Sequence, residues 1–261
     1  MTMTLKSLIA GGDLSVRDRK ERRTLLRSIV AGAGVVALAL AGYVPILEGW
    51  ARRLRPPGAL AEREYLASCI KCGQCVQVCP VQAIRFGDAM DGFGNGVPHI
   101  DARRQACDFS CDAVQCVLAC PTGALTHSLD KKEQAQMGLA RLVRPDACLA
   151  RKGEAFKGQA RGPEFTGQHR YLEVDRWKPI AVADHPYDLA LCDLCVRECP
   201  IKGAISMEPV SSDPADKRRT PVVHQACVGC GMCEMICPVA EACITVEPRL
   251  TWDQAAKGVS A

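Results

Sequence analysis

Four thiols and a proline crowd into residues 69–80, CIKCGQCVQVCP, and their spacing limits the chemistry they can do. Cys69, Cys72, Cys75 and Cys79 read C-x2-C-x2-C-x3-C-P, and Cys227, Cys230, Cys233 and Cys237 repeat it before Pro238. Cys107, Cys111, Cys116 and Cys120 form the looser C-x3-C-x4-C-x3-C-P. Cys192, Cys195 and Cys199 precede Pro200 as C-x2-C-x3-C-P, with Cys148 standing upstream as their fourth. The regular run is the bacterial pattern for a [4Fe–4S] cluster, in which three close thiolates hold one cube and the fourth cysteine reaches a neighbouring cube. The proline ends the loop and offers no backbone N–H. Sixteen such ligands make four cubes. A disulfide framework gives no reason for four copies of one spacing and needs an oxidising compartment. Zinc knuckles set two C-x2-C pairs apart by a longer loop, which the first and last blocks lack.

The blocks also share their tails, PVQAIRF, PTGALTH, PIKGAISM and PVAEACITV, which marks an internal repeat. Each places a small residue before Ile or Leu, predicting a short strand just past each metal loop. In this alignment Cys243 takes the small-residue position and reads as a buried packing thiol. The expected fold is α+β: two ferredoxin-like halves of short β-hairpins and helices, two clusters in each, following an N-terminal signal or anchor helix. The two regular blocks are the outer ones in the chain, which favours nested pairing, one with four and two with three.

With 17 cysteines and only 5% aromatic residues, the chain draws much of its folding free energy from bound metal. The net charge of +4 is unevenly spread. Residues 1–55 hold ten Lys/Arg against four Asp/Glu, and the remainder holds 23 against 25, so the basic excess is no sign of nucleic-acid binding. Each cube with its thiolates adds about −2, so four bring the region after residue 55 to about −10, and its docking partners should show basic surface.

Basic residues 17–27 precede an uncharged stretch, Ser28 to Leu47, which places the N-terminus in the cytoplasm. Arg22-Arg23 followed by Thr24-Leu25-Leu26-Arg27 resembles a twin-arginine (Tat) export signal, with Leu25 where that signal favours Phe. Clusters are assembled in the cytoplasm, so a route for folded cargo suits them. Ala39-Leu40-Ala41 offers a cleavage site, while 20 apolar residues also suffice to span a bilayer. The domains read as 1–47 signal peptide or anchor, 48–67 linker, 68–250 tetra-cluster domain with an insertion at 149–191, and 251–261 tail.

The twin-arginine leader, RLRPPGA at 53–59, CIKCGQCVQVCP, CPTGAL, MGLARLV at 137–143, CDLCVRECP and CVGCGMCEMIC occur in this order over residues 17–250. Together they resemble the NapG/MauM family, the ferredoxin-type proteins of periplasmic nitrate reduction and methylamine utilisation. The resemblance implies a four-cluster electron carrier at the periplasmic side of the bacterial cytoplasmic membrane. It would relay electrons from a membrane quinol-oxidising iron–sulfur protein of the NapH/MauN kind to a periplasmic oxidoreductase, after passing the Tat translocase. The alternative is an iron–sulfur subunit of a membrane-bound oxidoreductase with its own catalytic partner. One departure stands out: 43 residues separate Cys148 from Cys192, far more than the family pattern has. The first half of this insertion is Gly- and Lys/Arg-rich and reads as a surface loop, either neutral or a docking element. YLEVD and PIAVA within it read as strands.

No catalytic residue is expected. The five histidines share no spacing and read as surface or structural; GFGNG at 92–96 reads as a turn, not a nucleotide loop; neither a radical-SAM spacing nor a nucleophilic triad is present, and no substrate pocket is foreseen. Replacing Arg22 and Arg23 with Lys keeps the charge but removes the planar guanidinium fork a receptor can read. Cell fractionation should then find folded, cluster-loaded protein held in the cytoplasm; unchanged export would point to another route.

Overall fold

A computed structural model of the chain describes residues 16–48, 53–88, 94–111, 113–171, 173–175 and 177–258. The first element, α1 (Val16–Glu48), is exposed along its apolar stretch Glu21–Leu40, which is long and apolar enough to cross a membrane. After it, α2 (Glu62–Ser68) leads into the first cysteine block. Residues 54–68 are not a free linker: Leu54, Arg55 and Tyr65 are buried, and Leu54 pairs with Ile100 in an isolated bridge.

Each block closes into a helix of about one turn that carries its third cysteine. These are α3 (Gln74–Gln77) with Cys75 and α4 (Gln115–Leu118) with Cys116. Beyond α5 (Leu149–Lys152), which follows Cys148, come α6 (Leu194–Arg197) with Cys195 and α7 (Met232–Ile236) with Cys233. In the two regular blocks the residue before the helix is a left-handed glycine, Gly73 at φ 79° and Gly231 at φ 89°. The looser second block absorbs its extra residues with two left-handed non-glycines, Ala113 and Val114. The chain's last helix, α8 (Trp252–Ala256), is capped by Thr251.

The predicted strands after the loops form at β1 (Ile84–Phe86), β8 (Ile205–Pro209) and β10 (Ile244–Pro248). After the second block there is only a bridge, Leu125 to Ala59. All pairing is in two-stranded antiparallel ribbons. β1 pairs with β2 (Pro98–Ile100), and β8 with β9 (Arg219–Val223). β10 pairs with β3 (Gly138–Leu142), which lies inside MGLARLV.

The insertion differs from the expected surface loop. It folds into two ribbons, β4 (Phe156–Gln159) with β7 (Pro186–Leu189) and β5 (Gln168–His169) with β6 (Ile180–Ala181). Ala160, Tyr171, Val182 and Tyr187 from it are buried in the main core. The described residues of YLEVD form a turn, not a strand, and PIAVA contributes only β6. Packed this way, the segment is part of the folded body rather than a free surface loop.

Three backbones meet beside the last block. A Cβ on Gly229, which sits at φ 70°, would lie 2.2 Å from the Gly138 carbonyl oxygen, and one on Gly138 would lie 2.4 Å from that of Glu247. Gly229→Ala should therefore cost about 1–3 kcal/mol by overpacking beyond its backbone strain. Gly203→Ala, at φ 76° with open space around it, should show the backbone strain alone. Thermal unfolding of both variants checks this: equal midpoints would contradict the close approach.

Candidate metal centre

All 17 cysteines are free thiols, and sixteen of them gather into four groups of four. In the first group, which we call site I, Cys69, Cys72 and Cys75 of block one face Cys120, the last cysteine of block two; these four line one small apolar cavity. Site II is the reciprocal set. Cys116 interacts with Cys111 and with Cys79, the last cysteine of block one, and Cys107 interacts with Cys116. Site III joins Cys227, Cys230 and Cys233 of block four with Cys199 of block three around a second cavity. Site IV joins Cys148, Cys192 and Cys195 with Cys237 around a third. The fourth thiol of each block thus crosses to its partner block.

The pairing is one with two and three with four, so the nested expectation is overturned. Irregular spacing carries no pairing information, because Ala113 and Val114 take it up locally. Blocks close in sequence also meet at a lower cost in loop entropy.

Three of the four crossing thiols are held by amides of the repeated tails. Ala83 N–H donates to Cys79 Sγ at 3.3 Å, Leu125 N–H to Cys120 Sγ at 3.4 Å and Cys243 N–H to Cys237 Sγ at 3.4 Å. That is the local reason for the shared small-residue–Ile/Leu signature. Cys243 itself is buried at the wall of site IV, where its amide serves Cys237.

Electrostatics disfavour the thiolate form of these groups without a cation. Burial, then repulsion from Cys69, Cys72 and Cys120, pushes the Cys75 thiol up to about 12. Burial, then the nearby Cys148 and Cys237, pushes Cys192 up to about 11. Cys107, Cys195 and Cys233 are driven well above the usual thiol range, by burial first. Yet among the described residues no three Cys, His, Asp or Glu side chains converge on a point that a single ion would occupy. At sites I, III and IV the thiols line a cavity instead.

The sites form a sequence in space. Cys116 of site II also interacts with Cys75 of site I. Cys107 of site II lies against Cys230 of site III, its amide donating to the Cys230 carbonyl at 3.3 Å. Cys233 of site III interacts with Cys195 of site IV. The order is I–II–III–IV. Of the seventeen thiols, Cys72 at site I alone is exposed, and Ile70 beside it is also open to solvent.

Basic groups tie the loop before site II to the end of block four. The Arg103 guanidinium donates to the carbonyls of Glu234 (2.6 Å), Cys237 (2.9 Å) and Ala240 (3.0 Å) at the end of block four. Arg161, from the insertion, donates to the carbonyls of Arg103 (2.8 Å) and Met235 (3.0 Å). Of the histidines, His99 and His169 are buried and take the structural side of the surface-or-structural expectation. Of GFGNG, Gly92 and Phe93 lie outside the described residues, and Gly94–Gly96 belongs to a turn. Trp50 also lies outside them.

A cavity of about 1280 Å³ opens beside α2, walled by Arg55, Glu62, Leu66, Leu129 and Arg249. Burial would raise the Glu62 carboxyl, but hydrogen bonds from Arg55 and then Arg249 hold it below the usual carboxylate range. The Arg55 guanidinium lies 5.2 Å from the centre of the Tyr65 ring, and Tyr65 in turn faces Cys69 and Cys75.

Comparison with known proteins places this geometry. A 4Fe-4S dicluster domain matches residues 68–150 and 190–241, leaving out nearly all of the insertion. The ferredoxin-type protein NapG of Escherichia coli (strain K12) is 33% identical over 241 residues, covering 90% of this chain and 88% of NapG. The methylamine utilization ferredoxin-type protein MauM of Paracoccus denitrificans is 38% identical over 241 residues, covering 89% and 90%. MauM of Methylorubrum extorquens is 36% identical over 234 residues, covering 87% and 89%. No solved structure matches. The chain therefore belongs to the NapG/MauM family of ferredoxin-type proteins, iron–sulfur carriers of electrons built on 4Fe-4S dicluster domains.

Proposed function

We propose that the chain holds four [4Fe–4S] clusters, one at each of sites I to IV, and relays electrons along them between two redox partners. The observation that carries this reading is the sorting of sixteen thiols into four reciprocal fours, three of them lining a cavity. A zinc ion would draw its four sulfurs to within about 4 Å of one another, given Zn–S bonds near 2.3 Å; a cube does not. The clusters supply one-electron transfer. The chain supplies their spacing, the exclusion of water and amide hydrogen bonds to the thiolates. Sites I and II would form one ferredoxin-like half and sites III and IV the other, with the exposed Cys72 at site I as one port for electrons.

The family and the leader support the setting. With α1 as export signal or anchor, the cluster body lies at the periplasmic face of the cytoplasmic membrane. The donor is a membrane quinol-oxidising iron–sulfur protein and the acceptor a periplasmic oxidoreductase, of the nitrate or methylamine type. The Glu62 cavity adds no catalytic step to this reading, because its carboxylate is committed to two arginines.

Anaerobically purified protein should hold about sixteen iron and sixteen sulfide per chain; stoichiometric zinc with little iron would contradict the reading. Cys148→Ser should lose about one cube while Cys243→Ala keeps all four, and the reverse outcome would reassign site IV. Loaded protein should carry electrons between its partners at a rate that falls as salt rises. Turnover of a substrate by the protein alone would rule out a simple relay.

A further inference from the structure

The insertion delivers one ionisable side chain to the middle of the site sequence. His169, on β5, is buried where site II meets site III. Its Nε2 lies 3.1 Å from Glu198 Oε2. Its Nδ1 lies 3.4 Å from Asp108 Oδ2, an ion-pair distance without hydrogen-bond alignment. The two carboxylates are not arbitrary neighbours. Asp108 follows Cys107 of site II, and Glu198 precedes Cys199 of site III. Asp108 adds repulsion to both Cys107 and Cys230, the pair that joins the two sites.

The ring is held on every side. Gln105 and Gln168 exchange two hydrogen bonds, at 2.7 and 2.8 Å, which lock β5 to the loop before Cys107. Arg170 N–H donates to Asp108 Oδ2 at 3.2 Å, and Ser110 N–H to Asp108 Oδ1 at 2.9 Å. Tyr187 donates to Glu198 Oε1 at 3.1 Å. Tyr171 meets the His169 ring edge-on at 4.5 Å and stacks at 3.9 Å on His185, which in turn faces Glu173. Burial works against a charge on His169, but Asp108 and then Glu198 outweigh it and lift the imidazole to about 9. Burial would raise the Asp108 carboxyl, but His169 and then Ser110 hold it below the usual carboxylate range.

We propose that His169 is a positioning residue for electron transfer: its imidazolium, clamped between Asp108 and Glu198, joins sites II and III and sets the potentials of the two central clusters together. This rests on the four-cluster reading. Two buried carboxylates beside two anionic clusters would make adding an electron there unfavourable. A cation between them offsets one of the charges, at equal chemical remove from both sites. The dicluster match skips the segment that supplies this residue, so the device is an addition to the general two-cluster plan.

The test is an EPR-monitored redox titration of the loaded protein, with ligand variants Cys72→Ser and Cys111→Ser to tell the outer signals from the central ones. His169→Gln keeps a donor but removes the charge. It should move the midpoint potentials of the two central clusters to more negative values, leave the outer two in place, and slow electron passage about tenfold. Glu198→Gln removes an anion instead and should move the same two potentials in the positive direction. The double variant His169→Gln/Glu198→Gln should return them close to the original values. Iron content separates the possible failures. Wild-type protein with fewer than four cubes would remove the four-cluster reading itself. Full iron with all four potentials unmoved, or all four moved alike, would overturn only the role of His169. If His169→Gln fails to load, Glu198→Gln decides alone: no selective positive shift means the proposal is wrong.

Discussion

Thiolates buried together repel one another, and nearly every local feature of this chain answers that repulsion. Burial and neighbouring sulfurs drive the thiols far above their usual range, so the groups of four are stable as thiolates only around a polycation. Metal affinity then becomes folding free energy, which suits a chain with few aromatic residues. The tail amides that donate to Cys79, Cys120 and Cys237 spread the remaining negative charge into the backbone. The left-handed residues before α3, α4 and α7 turn three of the four loops tightly ahead of the helix that carries the third thiol.

The same repulsion explains how the two pairs of blocks are joined. Sites II and III touch directly through Cys107 and Cys230, which brings two anionic centres side by side. Basic groups pack between the loop before Cys107 and the end of block four. Arg103 reaches across to the carbonyls that end block four, where the free C=O groups of a helix terminus favour positive charge. Arg161 and His169 are supplied by the insertion. A segment that looks dispensable by composition therefore supplies two of the basic groups packed between the blocks. An electron carrier needs close centres more than it needs a large core, and buried cations are what let anionic centres come close.

The motif-bearing loops were legible from spacing alone, because the reach of a thiol within one loop is a local property. The strands after three of the four loops were legible too, from the repeated small-residue–Ile/Leu tail. Pairing was not, since it depends on where Cys79 and Cys120 cross, and regular spacing says nothing about that. Residues 54–68 look like a linker because Pro56, Pro57 and Gly58 punctuate them, yet Leu54, Arg55 and Tyr65 are buried against the first half. His169 shared no spacing with any other histidine. The available signal was indirect: Asp108 and Glu198 sit next to cysteines of already anionic sites, and buried acids there call for a cation from elsewhere in the chain.

Anomalous iron scattering from anaerobically grown crystals tests the central claim most directly. Four compact iron peaks should lie in the order I–II–III–IV, with Cys120 among the neighbours of the first peak, Cys79 of the second, Cys199 of the third and Cys148 with Cys237 of the fourth. Fewer than four peaks, a cube shared between blocks one and four, or Cys243 in the place of Cys148 would contradict the account.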